Sequence, residues 1–142
     1  MDLTLTVGNT ILNIRVAVII KTSKGYILEK HKDGYYFLLG GRIKAGESSE
    51  DGAKREVLEE IGVAPEGLKL KAIIENFFDT PEQKIHEICF VYTANDVNVL
   101  QLEEGLGEYP LSEIEHLDLR PNVTKEIITS TTDGILHFIL QK

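Results

Sequence analysis

Three glutamates, Glu56, Glu59 and Glu60, have the spacing that most strongly suggests chemistry in this sequence. On an α-helix these positions share one face within about a turn, so their carboxylates repel one another. Such repulsion is tolerated where a cation neutralises it, and Mg²⁺ and Mn²⁺ bind carboxylate oxygens together with substrate phosphates. The spacing therefore predicts a carboxylate-lined metal site on a helix, suited to phosphate chemistry.

The same glutamates end a longer pattern, Gly-x5-Glu-x7-Arg-Glu-aliphatic-x-Glu-Glu-x-Gly-aliphatic. It is filled by Gly41, Glu47, Arg55, Glu56, Val57, Glu59, Glu60, Gly62 and Val63. This pattern resembles the Nudix box of the Nudix hydrolases. A glutamate-rich helix is, on composition alone, usually a solvated face. Positions fixed over 23 residues favour a true box instead.

The resemblance implies how a metal would be held. Glu56, Glu59 and Glu60 would bind Mg²⁺, with Mn²⁺ as a possible substitute, and the Gly40 carbonyl would supply a further ligand. One glutamate would also act as general base, and the sequence leaves open which one. The family commonly has proline before the glycine pair, where this chain has Leu39.

The remaining box residues are expected to support the catalytic glutamates. Arg55 precedes Glu59 by four residues, so on a helix its guanidinium can orient that carboxylate during catalysis. Glu47, at the junction of loop and helix, would complete this network. Gly41 and Gly62 are structural positions of the motif, and Gly62 is also a natural helix stop.

Four residues outside the helix are candidates for binding substrate. Arg15 lies in an apolar strand and Arg42 follows the glycine pair, and both guanidinium groups suit phosphate; a structural salt bridge is the alternative for each. Phe77 is a candidate for stacking on a base, against a plain core position. Glu87 is out of phase with the apolar residues of its strand and is expected to face the cleft. An acidic stretch, Glu103 to Glu108, is either a solvated loop or a source of another metal ligand or base.

Strand patterns precede and follow the box. Residues 3–7, 11–21, 26–30 and 35–39 alternate or run apolar and are separated by turn signals, so four strands are predicted. The helix is expected to begin near Ser48 or Ser49 and to stop at Gly62. Residues 68–78 and 84–93 predict two long strands.

The C-terminal part is less regular. Residues 101–109 are predicted as a loop or short edge strand, and 111–116 as one helical turn. Pro121 is expected at the first position of a helix that runs to about Ser130, and residues 135–140 as a strand or helix. This element order predicts an α/β fold with helices on the faces of a mixed sheet. The resemblance implies the Nudix-type α/β/α sandwich with a central mixed sheet.

Composition narrows the class of protein. The chain has 142 residues, of which 42% are hydrophobic, which predicts a single domain over residues 1–142. A net charge of −8 argues against nonspecific binding to nucleic acid or anionic membranes. The single cysteine, Cys89, fits a reducing compartment, and no signal peptide or membrane-length apolar run occurs. A cytoplasmic protein is expected.

Together, these observations predict an Mg²⁺-dependent Nudix pyrophosphohydrolase. Its substrate would be a nucleoside diphosphate linked to another group, and one product a nucleoside monophosphate. Candidate substrates are nucleoside triphosphates, including oxidised ones, and ADP-ribose-like compounds. The alternative is a nucleotide-sensing Nudix module without catalysis; an RNA-processing hydrolase is disfavoured by the acidity. The apolar N-terminal hairpin raises the expectation of a homodimer.

Overall fold

A computed structural model describes residues 1–141 of the chain. Its elements are, in order, β1 (Thr4–Val7), β2 (Thr10–Ile19), β3 (Lys21–Thr22), β4 (Gly25–Lys30), β5 (Tyr36–Arg42), α1 (Ser49–Ile61), β6 (Lys69–Asp79), β7 (Lys84–Thr93), β8 (Leu106–Tyr109), α2 (Leu111–Ile114), α3 (Thr124–Thr129) and β9 (Leu136–Gln141). The strands predicted before and after the box are therefore present, with ends that differ by one or two residues in most cases.

The strands form one mixed sheet in the order β3-β4-β5-β2-β7-β6-β9. β1 adds to β2, and β8 adds to β4. The β2–β7 and β6–β9 pairs are parallel, and the other pairs are antiparallel. The predicted mixed sheet is confirmed.

Side chains that alternate along β2 pack on the two faces of this sheet. Val16 and Val18 are buried in a cluster with the apolar residues of α1. Ile19 belongs to a second cluster, which contains Ile114 of α2 and Ile127 of α3. Helices therefore cover both faces, and the predicted α/β/α sandwich is confirmed. Below, the two sides are called the α1 face and the α2/α3 face.

Local signals set both ends of α1 where the sequence predicts them. The Ser48 hydroxyl accepts a hydrogen bond from the Asp51 N–H at 3.0 Å, as an N-cap does. Gly62 adopts a left-handed conformation, with φ 71°, and its N–H donates to the Leu58 carbonyl. The buried side of the helix consists of Gly52, Ala53, Val57 and Ile61. The opposite side is left for the charged residues of the box.

The prediction for the last helix is wrong at its beginning. Pro121 is not its first residue, since α3 begins at Thr124. The Thr124 N–H and hydroxyl both donate to the Pro121 carbonyl, at 3.0 and 2.7 Å. These bonds close a turn over residues 121–123, and only after that turn does the helix start.

Two open alternatives are decided by strand pairing. Part of the 101–109 stretch is an edge strand, β8, which pairs antiparallel with β4. The C-terminal segment is a strand, β9, parallel to β6. Among residues 1–141, no helix is both long and apolar enough to span a bilayer.

Candidate active site

The glycine pair lies where β5 passes beneath α1. A Cβ at Gly41 would overlap the Glu56 carboxylate, so only glycine lets that side chain approach the strand. A Cβ at Gly40 would overlap the Val16 carbonyl of β2. Both positions therefore need glycine because of close packing, and at Gly41 the group that packs closely is the Glu56 carboxylate of the box. Leu39, which replaces the common proline, is fully buried and pairs with Val18 of β2.

Arg55 connects four parts of the box. Its Nε and Nη2 donate to the two Glu47 oxygens at 2.7 and 2.9 Å, a bidentate pair. Its Nη1 donates to Glu56 at 2.9 Å and to Glu59 at 3.3 Å. Nη2 also donates to the Arg42 carbonyl, at the end of β5, at 3.1 Å. Arg55 thus joins the loop, the strand end and two glutamates of α1.

Glu47 is held in its charged form by these contacts. Its pKa is lowered to about 2, first by the hydrogen bond from Arg55, while burial opposes the shift and the Lys44 N–H assists it. Gly52 has no evident role in the sequence. A Cβ there would lie 3.1 Å from a Glu47 oxygen, so a side chain at this point would require Glu47 to shift by a few tenths of an ångström.

Glu60 has the opposite environment. Its pKa is raised to about 7, first by burial and then by the negative charges of Glu29, Glu56, Glu103 and Glu59. Among residues 1–141, no lysine or arginine forms an ion pair with it. The sequence did not predict Glu29, which reaches this group from β4. The excess of carboxylates around the half-buried Glu60 is the electrostatic setting that a divalent cation would relieve.

The carboxylates do not form a ready metal cage. Within the part of the chain that the structure describes, no three His, Cys, Asp or Glu side chains converge as metal ligands. Glu56 and Glu59 accept hydrogen bonds from Arg55, while Glu60 lies among other acids. Glu59 is also 54% exposed, against 13% for Glu56. The donor types fit Mg²⁺, and the predicted ligand set stays a prediction.

A large cavity lies on the α2/α3 face. Its volume is about 900 Å³, and its lining reaches Gly40, which directly precedes the box. Arg15, Asn76, Phe78 and Glu87 project from three strands into it. This volume is in the range of small-molecule sites, which are mostly apolar with a few polar groups.

Two predicted substrate contacts meet in this cavity. The Arg15 Nε lies 3.4 Å from a Glu87 oxygen. Burial raises the pKa of Glu87, and the positive charges of Arg15 and Arg42 oppose that shift only in part. Glu87 thus faces the cavity with a charge that its neighbours leave incompletely balanced.

Arg42 and Phe77 are placed differently. Arg42 is the register partner of Arg15, but its Nη1 lies 3.9 Å from the Asp2 carboxylate at the surface. Phe77 borders the cavity, yet its ring packs at a tilt of 35° against His86 across the strand pair, with centroids 4.4 Å apart. Alternation along β6 directs Phe78, not Phe77, to the side of Glu87.

One wall of the cavity has no signal in the sequence. The Tyr35 ring stacks on His31, with centroids 4.3 Å apart, and the Arg120 guanidinium lies 4.2 Å from the same ring. Arg120 also donates to Asp118 at 3.1 Å. These residues come from two distant loops, so only the folded chain brings them together.

Comparisons with known proteins agree with this geometry. The family profile described as NUDIX domain matches residues 3–128. An uncharacterized Nudix hydrolase of Bacillus subtilis, YvcI, is 28% identical over 103 residues, which is 69% of this chain. The match spans 65% of that relative's length.

Solved structures show the same fold. A MutT protein from Bacillus halodurans superposes with a TM-score of 0.72 at 23% identity, covering 88% of this chain and 86% of that chain. An ADP-ribose pyrophosphatase from Streptococcus suis has a TM-score of 0.58 at 20% identity, covering 89% and 98%. At such identities the likeness is one of fold, and it leaves the substrate open.

Proposed function

This chain belongs to the Nudix family of hydrolases, and on that basis we propose that it cleaves the phosphoanhydride of a nucleoside diphosphate linked to another group. A nucleoside monophosphate is one product. Nucleoside triphosphates, including oxidised ones, and ADP-ribose-like compounds are the candidate substrates. The observation that carries this proposal is the position of Gly40, which lines the cavity and directly precedes Gly41, the first residue of the box. Gly41 lies against the Glu56 carboxylate, so the phosphates of a ligand in the cavity would pass the glycine pair to reach the carboxylates of α1.

The proposed metal ligands are Glu56, Glu59, Glu60 and the Gly40 carbonyl, with Mg²⁺ as the ion and Mn²⁺ as a substitute. When bound, the ion would screen phosphate charge and act as a Lewis acid. The half-buried Glu60 carboxylate, which lies among other acids, supports this assignment. One of the three glutamates would take a proton from the attacking water, as a general base.

The other proposed roles follow from the contacts of each side chain. Glu47 holds Arg55, and Arg55 orients Glu56 and Glu59, so these two residues act by positioning. Arg15 would bind phosphate inside the cavity, and Arg42 would do so at its edge. Their guanidinium groups suit phosphate because they donate two parallel hydrogen bonds.

Three further proposals concern the protein as a whole. We propose that residues 1–142 form one domain, which is supported by two hydrophobic clusters that share one sheet. We propose action on free nucleotides in the cytoplasm, supported by the net charge of −8. We also propose a homodimer, supported by Leu5 and Val7, which are 54% and 66% exposed on the N-terminal hairpin.

A hydrolysis panel tests the activity. Nucleoside triphosphates, oxidised guanine nucleotides, ADP-ribose, dinucleoside polyphosphates and nucleotide sugars are incubated with Mg²⁺ or with chelator, and the products are separated by chromatography. Release of a nucleoside monophosphate that requires the metal is the expected result. Binding of a nucleotide without turnover of any would contradict the proposal and favour a nucleotide-sensing module.

A further inference from the structure

The floor of the cavity carries a pair of polar side chains among apolar ones. Asn76 of β6 and Glu87 of β7 are direct partners across the antiparallel pair. Such partners have Cβ atoms about 5 Å apart on the same face. The next cavity-facing residues along β6 are Ile74 and Phe78, and Leu140 flanks Asn76 on β9. The floor is therefore apolar except at this pair and at Arg15.

This polar pair is not explained by the packing of the protein itself. Glu87 has Arg15 as its charged partner, at 3.4 Å, which is longer than a good hydrogen bond. Among residues 1–141, the Asn76 side chain takes part in no hydrogen bond. Both side chains are only partly exposed, at the wall of an open cavity, so a ligand that fills the cavity would have to form hydrogen bonds with them or leave them unpaired. Few polar groups placed in an apolar pocket are also how small-molecule sites orient their ligands.

The distance from this pair to the box suits a nucleotide. Glu87 is level with Asn13 of β2, and Gly40 is level with Ala17. Glu87 and Gly40 are thus separated by four residues along the strands and by two inter-strand spacings, which corresponds to a distance of about 16 Å. Arg15 lies between these two levels on β2, where it can contact the sugar or phosphates. A base at Glu87 therefore leaves its phosphates near Gly40.

The hydrogen-bonding groups select one kind of base. An ionised carboxylate offers two acceptor oxygens, and an amide N–H₂ offers donors. Guanine presents two neighbouring donors, N1–H and N2–H₂, next to the O6 acceptor on one edge. Adenine, cytosine and uracil each lack a second neighbouring donor there. We propose that Glu87 accepts hydrogen bonds from N1–H and N2–H₂ of guanine while Asn76 donates to O6, so that the preferred substrate is a guanine nucleotide. This inference rests on the proposed function, because it names the base of the nucleotide to be hydrolysed.

Binding of monophosphates, measured by calorimetry in the presence of chelator, tests this inference without hydrolysis. Guanosine monophosphate should bind more tightly than inosine monophosphate, which lacks the 2-amino group, and adenosine monophosphate should bind least. In Glu87→Gln, one acceptor oxygen becomes a donor. Guanosine monophosphate should then bind about 10- to 100-fold more weakly, and its advantage over inosine monophosphate should disappear.

A second variant separates the two contacts. Asn76→Ala removes the donor to O6. Guanosine and inosine monophosphates both have O6, so their binding affinities should fall by the same factor. Glu75→Gln is the matched control, since Glu75 is on the same strand, faces the other side and pairs with His137 at 2.6 Å. It should leave all three affinities unchanged. Thermal melting confirms that each variant is folded.

Several results would overturn the inference. Equal affinity of the wild type for guanosine and adenosine monophosphates would do so, as would no binding of guanosine monophosphate or an unchanged preference in Glu87→Gln. The proposed function fails separately. If guanosine monophosphate binds preferentially but no nucleotide is hydrolysed in the presence of metal, the proposed hydrolysis is rejected and guanine recognition is kept. If nucleotides are hydrolysed without any preference for the base, guanine recognition is rejected and the hydrolysis is kept.

Discussion

The box and the cavity are built in opposite ways, although they meet at Gly40. The contacts of the box are local: Arg55 reaches Glu47 eight residues before it and Glu59 four residues after it. The cavity takes its polar groups from β2, β6, β7 and the segment before α3. A helix and its preceding loop can thus hold the charged groups of the box almost alone. A binding cavity depends on the register of the whole sheet.

If this comparison is correct, the largest effects come from the box and leave binding in the cavity intact. Glu60→Gln, and likewise Glu59→Gln, should lower kcat about a thousandfold, or about 4 kcal/mol, because a proposed metal ligand is lost. The Glu60 variant should melt at the same or a higher temperature, since the charge that it removes is buried beside other acids. Steady-state kinetics and melting curves measure both quantities.

The control for this prediction is Glu66→Gln, which removes an exposed carboxylate beyond the end of α1. Its kcat should equal that of the wild type. Near-normal turnover in both Glu59→Gln and Glu60→Gln would remove the metal-site proposal.

Arg55→Ala tests whether the positioning contacts of the box matter for metal use. The metal concentration that gives half-maximal activity should rise about 10- to 100-fold, because Glu56 and Glu59 lose their common donor. Arg55→Lys should recover part of the stability but little of the metal affinity, since lysine cannot form the bidentate pair with Glu47. A lower melting temperature with normal metal activation would make Arg55 purely structural.

Arg15→Met tests the reverse, damage to the cavity with an intact box. KM should rise about tenfold while kcat and metal activation stay near the wild-type values, because a proposed phosphate-binding group inside the cavity is lost. Arg42→Met is the comparison, and its effect on KM should be smaller because Arg42 is 44% exposed and lies beside Asp2. A fall in kcat with unchanged KM in Arg15→Met would contradict this division of roles.

The smallest expected effect concerns the stability of the box. The folded-state pKa of Glu47, about 2, is below the usual value of 4.5, so its pairing stabilises the fold above about pH 4.5. A shift of this size corresponds to about 3 kcal/mol, which solvent screening of the partly exposed pair reduces, and the contribution is lost as the pH falls from 4.5 towards 2. Glu47→Gln should therefore unfold more easily than the wild type at pH 7, and the two should converge near pH 2. Denaturant unfolding across this pH range measures the difference, and a constant difference would contradict it.

The sequence predicted the local elements of the fold well. Most strands follow from patterns a few residues long. The two ends of α1 follow from single residues, Ser48 before the helix and Gly62 after it. The order of these elements along the chain predicted the mixed sheet. The last helix was misplaced, because the contact of Thr124 with the Pro121 carbonyl delays its start, and the sequence gives no sign of that contact.

The sequence by itself therefore determined the box, since helical spacing and a short loop bring Glu47, Arg55 and Glu56 together wherever the helix lies. Only the tertiary structure decided what surrounds it. Strand register pairs Asn76 with Glu87, and strand order brings Glu29 to Glu60. Such contacts join residues distant in the chain, and their geometry is fixed by packing of the entire sheet rather than by any local pattern.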